Sequence, residues 1–142
     1  MNVETFKSLV SQAHAQPDCG CNKTNFQCWA AWRTKTRDLD STLWGKKRLE
    51  ANMPAGQLEN LGPFDHQEQA IKANGYTSYL PNGLNYWSPK APIAVYFYPY
   101  HDCDIYQCKG CQAIFLEYME ESGHIPEKRL RWVRPELITA RQ

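Results

Sequence analysis

Apolar residues in this chain first recur at helical spacing and later in alternation. Val3, Phe6, Val10 and Ala13 lie three or four apart, which puts them on one face of a short amphipathic helix ending before Pro17. Residues 18–23 are loop by composition. Thr24 followed three residues later by Gln27 has the capping-box pattern, and it predicts a second helix with Trp29, Trp32, Leu39 and Leu43 on one face. From Gly45 to Gly62 the periodicity fades, and Met53-Pro54-Ala55-Gly56 and Leu61-Gly62-Pro63 act as loop punctuation. A third, short helix is expected after Asp65, with Glu68 in the reciprocal capping position and Gly75 closing it behind Asn74.

The second half of the chain changes character. Pro81-Asn82-Gly83 is a turn, because Asn-Gly tolerates positive backbone dihedrals. The β-branched and aromatic run from Ile93 to Tyr98 is the expected central strand. In residues 112–120, Ile114, Leu116 and Tyr118 alternate with Phe115, Glu117 and Met119. A helix fits the same nine residues, but Ser122-Gly123 supplies a turn and a second alternating run follows in residues 128–133, so a β-hairpin is favoured. Across it Glu117, Glu120 and Glu121 would face Lys128, Arg129 and Arg131, each pair adding about 0.2–1 kcal/mol and helping to set register. The predicted fold is α+β. N-terminal helices pack on an antiparallel sheet, and a cysteine knuckle leads into a C-terminal β-hairpin. One domain is expected over residues 1–142, mainly helical to residue 75 and sheet from residue 76.

Composition narrows the class. With 42% hydrophobic and 22% charged residues, the chain is an ordinary globular mixture rather than a disordered one. Its formal net charge of +1 lacks the cationic excess that backbone-gripping nucleic-acid binders carry, which argues against nucleic acid as partner. The start shows no cationic, then apolar leader pattern, and no apolar run approaches the length of a membrane span. The cytoplasm is therefore the expected compartment, and there six cysteines serve as metal ligands or plain thiols more readily than as disulfides.

Cys108 and Cys111 form a Cys-x2-Cys turn in which Gly110 supplies backbone freedom, so two thiolates can point at one ion. Cys103 is a third candidate ligand. Tetrahedral structural zinc needs a fourth, offered by His101 or by the N-terminal group of Cys19, Cys21 and Cys28. A structural Zn2+, about one per chain, is the cofactor this spacing predicts. A Cys–His dyad of His101 and Cys103, as in a small hydrolase, is the catalytic alternative. Two further thiols nearby weigh against it, and phosphate-binding glycine loops, His-Glu-x-x-His and Gly-x-Ser-x-Gly are all missing. No enzymatic activity is expected.

Taken together, Tyr98-Pro99-Tyr100, Cys103-Asp104-Ile105, Cys108-x2-Cys111, Phe115-Leu116-Glu117-Tyr118-x-Glu120 and Arg129-Leu130-Arg131 resemble a motif set of small bacterial immunity proteins. Those proteins are encoded beside polymorphic toxins of contact-dependent or type VI delivery systems. The resemblance covers the last third of the chain. Ser122-Gly123-His124 replaces the Gly-Gly-Tyr turn expected from that family. The resemblance implies a cytoplasmic, non-enzymatic protein that binds a cognate secreted toxin domain and blocks its active site. Such a surface needs aromatic anchors and matched charge. The candidates are Tyr79, Tyr86, Trp87 and Tyr100, with Glu117, Glu120 and Glu121 as an acidic patch. The plainer reading of the tyrosines is a sheet face whose hydroxyls stay wet. The alternative function is a zinc-ribbon-like adaptor for nucleic acid or protein.

Overall fold

The computed structural model describes residues 1–14, 19–34, 50–54, 56–65, 67–85, 87–121 and 126–139. It contains two helices, α1 (Val3–His14) and α2 (Gln67–Asn74). The strands are β1 (Ala30–Thr34), β2 (Glu50–Met53), β3 (Leu58–Pro63), β4 (Asp104–Cys108), β5 (Ile114–Glu120) and β6 (Glu127–Trp132). They form one sheet in the order β2-β1-β6-β5-β4-β3. The run β1-β6-β5-β4-β3 is antiparallel throughout, and β2 joins β1 in parallel. The class is α+β, as the hydrophobic pattern predicts.

β5 is the axis of the molecule because both of its faces are covered. Ile114, Leu116 and Tyr118 enter a core with Phe6, Val10, Trp29, Phe64, Ile93, Tyr100, Cys103 and Ile105. Phe115, one step along the pleat, points the other way, into a core with Cys21, Phe26, Met53, Cys108, Cys111, Ala113 and Leu130. α1 belongs to the first core. Its Thr5 amide donates to Asn2 Oδ1 at 2.8 Å, satisfying a first-turn N–H, and Phe6 meets Phe64 edge-on at 4.9 Å.

α2 stops at Asn74 with Gly75 left-handed at φ 54° behind it, as the sequence requires. Asp65, expected as its cap, accepts from the Met1 ammonium at 2.9 Å. The turn at Pro81–Gly83 has positive φ at Asn82 and Gly83, though it joins no pair of strands. β5 and β6 pair with Tyr118 opposite Arg129 and Glu120 opposite Glu127.

Two expected elements are replaced. The helix predicted from Thr24 is a short 3-10 turn over Lys23–Phe26, entered through left-handed Asn22 without a side-chain cap, and the chain then becomes β1. Trp29 and Trp32, three apart, would share a helix face. In extended chain they part, Trp29 into the first core and Trp32 onto the second. Leu39 and Leu43 lie outside the described residues. The run from Ile93 to Tyr98 is not a strand. Apart from an isolated bridge between Ile93 and Ile138 it is made of turns, including Phe97 N to Ala94 O at 2.9 Å. Pro92 and Pro99 bracket it and offer no amide to a ladder.

Arg131 explains how the neighbouring loop does without sheet pairing. Its side chain is fully buried. It donates to the carbonyls of Gln27 (3.2 Å), Ser88 (3.5 Å), Pro89 (3.2 Å) and Ala91 (2.9 Å), and to the Tyr100 hydroxyl. Arg131 therefore does not make the cross-hairpin pair expected of it; Arg129, also expected, reaches Glu120 across the hairpin at 3.0 Å and Glu127 on its own strand at 2.8 Å. Arg131 lies on the opposite pleat face from Leu130 and turns inward.

Candidate metal centre

β4 ends at Cys108, and the chain turns through Lys109 and Gly110 to Cys111 before β5. The turn is pinned by Cys108 N to Ala113 O and Gln112 N to Cys108 O, each 2.9 Å. Lys109 N reaches across to Gln57 O at 2.9 Å and fixes the turn against the start of β3. Space at Gly110 is tight. A Cβ there would sit 3.3 Å from both Cys19 Sγ and Gln57 Nε2, tighter than a side chain normally tolerates. The 19–21 loop arrives at that spot.

Four sulfurs converge. Cys19 Sγ lies 3.6 Å from Cys108 Sγ, Cys21 Sγ lies 3.8 Å from Cys111 Sγ, and all four fall within 4.8 Å of one another. A tetrahedron with metal–sulfur bonds of about 2.3 Å has sulfur–sulfur edges of about 3.8 Å. The two close contacts match that edge. All six cysteines of the chain are free thiols. Cys21, Cys108 and Cys111 are buried, and Cys19 is half-buried.

The surroundings favour thiolate at Cys108. Gln57 Nε2 donates to Cys108 Sγ at 3.1 Å. The Lys23 ammonium sits 4.0 Å from Cys111 Sγ and 5.3 Å from the centre of the Trp132 ring. Burial pushes the Cys108 thiol up, but the backbone amides of Cys111 and Gly110 and the Gln57 amide outweigh it and bring it down to about 6. Burial holds Cys21 well above the usual thiol range, and burial with the neighbouring sulfurs of Cys19 and Cys108 raises Cys111. Four thiols this close resist sharing four negative charges unless a cation stands between them. The set can hold a metal ion.

Of the seven ligands suggested by the sequence, these four meet and three do not. Cys103 lies in the opposite core, where its thiol donates to Pro99 O at 3.2 Å. Burial holds it protonated well above the ordinary value, with Asp102, Glu117 and Asp104 adding to the effect. The pleat is the reason: Ile105 and Cys108, three apart on β4, face opposite cores, and Cys103 goes with Ile105. His101 is buried with Nε2 2.7 Å from Gly75 O, and its Nδ1 has no partner, so the His101–Cys103 dyad is not formed. Cys28 is half-buried and outside the set. Lys23 and Gln57 were invisible as site residues in the sequence. Neither stands in a ligand motif, and Gln57 is 51 residues from the sulfur it bonds.

The suggested docking residues separate in the same way. Tyr100, Glu117 and Glu120 are only 3%, 7% and 4% exposed, so they belong to the interior rather than to a contact surface. Trp32 Nε1 and the Tyr106 hydroxyl donate to Glu117 at 2.9 and 3.4 Å, and the Tyr118 hydroxyl donates to Glu120 at 2.9 Å. Trp87 is half-buried under the Arg129 guanidinium at 4.2 Å, and Tyr79 is half-buried against Phe97. Glu121 is exposed, and Tyr86 lies outside the described residues. Tyr76, 84% exposed, is the most open aromatic of the described residues.

No helix among the described residues is long and apolar enough to cross a membrane. Scans against protein-family models, curated proteins and solved structures find no match to this chain.

Proposed function

We propose that Cys19, Cys21, Cys108 and Cys111 bind one zinc ion as a closed structural centre. The observation that carries this is the convergence of four sulfurs at tetrahedral spacing from segments 89 and 90 residues apart. Four protein thiolates complete the coordination and leave no position for water, which is the mark of a structural rather than a catalytic site. Zinc suits an all-sulfur tetrahedron, and iron is its main competitor there. Structural zinc supplies about 10–16 kcal/mol in small zinc-finger peptides, comparable to the whole stability of a domain. Native mass spectrometry tests the reading. One zinc per chain is expected, lost together with cooperative unfolding when Cys21 is changed to Ser. A metal-free, fully folded chain, or visible absorption from iron–thiolate bonds, would overturn it.

The same scaffold acts, in our reading, as a cytoplasmic immunity protein that binds and neutralises a cognate bacterial toxin domain by covering its active site. The support is the C-terminal motif set described above. Exposed Tyr76 and Glu121, with half-buried Tyr79 and Trp87, offer the aromatic and acidic contacts such a partner needs. Co-expression with the toxin domain encoded beside the gene is expected to restore growth and to yield a stable complex. Failure of both removes the toxin reading. Steeply salt-dependent binding to DNA would favour the adaptor instead.

A further inference from the structure

The four sulfurs are not equivalent. Cys21, Cys108 and Cys111 are at most 2% exposed, whereas Cys19 is half-buried. Cys108 accepts from the Gln57 amide and from the backbone N–H groups of Cys111 and Gly110. Cys111 accepts from the Ala113 backbone and faces the Lys23 ammonium, and Cys21 accepts from the Lys23 backbone. Among the described residues, the hydrogen-bonding contacts of Cys19 Sγ are all to other sulfurs. Donors draw electron density from a thiolate and burial blocks approach to it, so nucleophilicity concentrates where both are missing. A Cβ at Gly110 would lie 3.3 Å from Cys19 Sγ, so the glycine adds no side chain that would screen it.

We propose that Cys19 is the reactive ligand of this centre, a site of oxidation by peroxides, and that Cys108 is the thiolate that resolves it into a disulfide. The proposal rests on the zinc reading, since bound zinc is what keeps four thiolates together at neutral pH. In the first step the Cys19 sulfur attacks one oxygen of hydrogen peroxide. An S–O bond forms, the O–O bond breaks, and the departing hydroxide takes a proton to become water, leaving a sulfenic acid. In the second step Cys108 Sγ attacks the Cys19 sulfur, the S–S bond forms, and the S–O bond breaks with loss of a second water after protonation. Peroxide is the two-electron oxidant, and the two thiolates are the reductant. The 3.6 Å between these sulfurs must shorten to about 2.05 Å, a movement that falls to half-buried Cys19 beside exposed Gly20. Cys21 Sγ lies 3.8 Å from Cys111 Sγ, the other close pair of the set. Zinc left with two ligands departs, yet the new bond joins the same two segments that the metal joined.

The test uses the intact zinc-loaded chain. Zinc content is measured first, then hydrogen peroxide is titrated while a chromophoric chelator reports released metal and peptide mapping locates oxidised cysteines. The expected result is loss of free Cys19 at least about tenfold faster than loss of Cys21 or Cys111. A Cys19–Cys108 linked peptide should form first, with one zinc released per disulfide, and the Cys28→Ser variant should behave identically. A different first pair, or oxidation confined to Cys28 with zinc retained, overturns this proposal and leaves the zinc centre standing. A chain that holds no zinc before peroxide is added overturns both.

Discussion

Replacing Arg131 with Met tests whether a single buried cation organises the loop between α2 and β4. The methionine keeps an apolar stem of similar length and removes every donor. Among the described residues Arg131 has no carboxylate partner, so carbonyl dipoles and the Tyr100 hydroxyl are what balance its charge. After substitution, Ser88 O keeps its bond from Ala91 N, and Pro89 O keeps Arg134. The carbonyls of Gln27 and Ala91 lose the only donor that reaches them among the described residues. Two stranded carbonyls cost about 1–3 kcal/mol each, and the lost charge-assisted bond to the phenol costs about 1.5–3 kcal/mol more. Removing a buried cation gives back part of its desolvation penalty. The net expectation is a loss of about 3–5 kcal/mol, in the range for breaking a buried charged contact. With a urea slope of about 2 kcal/mol/M, the midpoint of zinc-loaded protein should fall by roughly 2 M. A shift below about 0.5 M would refute the reasoning, because water or a neighbour would then be serving those oxygens as well as the guanidinium does.

Two further outcomes follow from the sulfur centre and from β5. Gln57→Ala removes the 3.1 Å donor to Cys108 and should weaken zinc binding about 10- to 100-fold in competition with a chromophoric chelator, with the folded spectrum of the loaded protein unchanged. The Glu117 carboxyl is held above its ordinary value, chiefly by burial, so between the unfolded and folded values the native chain binds more protons than the unfolded one. Stability therefore falls as pH rises through that window, and the cost is fully present above it. Glu117→Gln keeps an acceptor for Trp32 and should raise the melting temperature at neutral pH, the advantage shrinking as pH falls through that window and vanishing below the ordinary carboxyl value. An advantage that grew on acidification would contradict the buried-charge account.

How much the sequence disclosed depended on whether a local pattern had one physical meaning. α1 and the β5–β6 pair were legible because 3.6-residue and two-residue periods, bounded by turn residues, leave few alternatives. The pattern around Trp29 and Trp32 was ambiguous: a spacing of three suits a helix face, but the local capping signal did not outweigh pairing of β1 with β6 and β2. The run from Ile93 to Tyr98 has strand composition, yet its flanking prolines and the reach of Arg131 from β6 give its neighbourhood another way to satisfy backbone groups. At the site, Cys108 and Cys111 were legible as a turn with a glycine. Whether Cys103 or the 19–21 loop completes the set depends on which pleat face each sulfur occupies, which no local pattern records. Glu117 and Glu120 looked like surface charges because the sequence does not show that β5 is covered on both sides.

The long separation between the two halves of the sulfur centre also bears on how the chain is made. Cys19 and Cys21 leave the ribosome 89 and 90 residues ahead of Cys108 and Cys111. At about 5–20 residues per second, the early pair waits roughly 4–18 s with no partners. During synthesis the nascent chain therefore carries an unfinished thiol pair, and the amino-terminal segment can be locked down only after β4 and its turn have emerged.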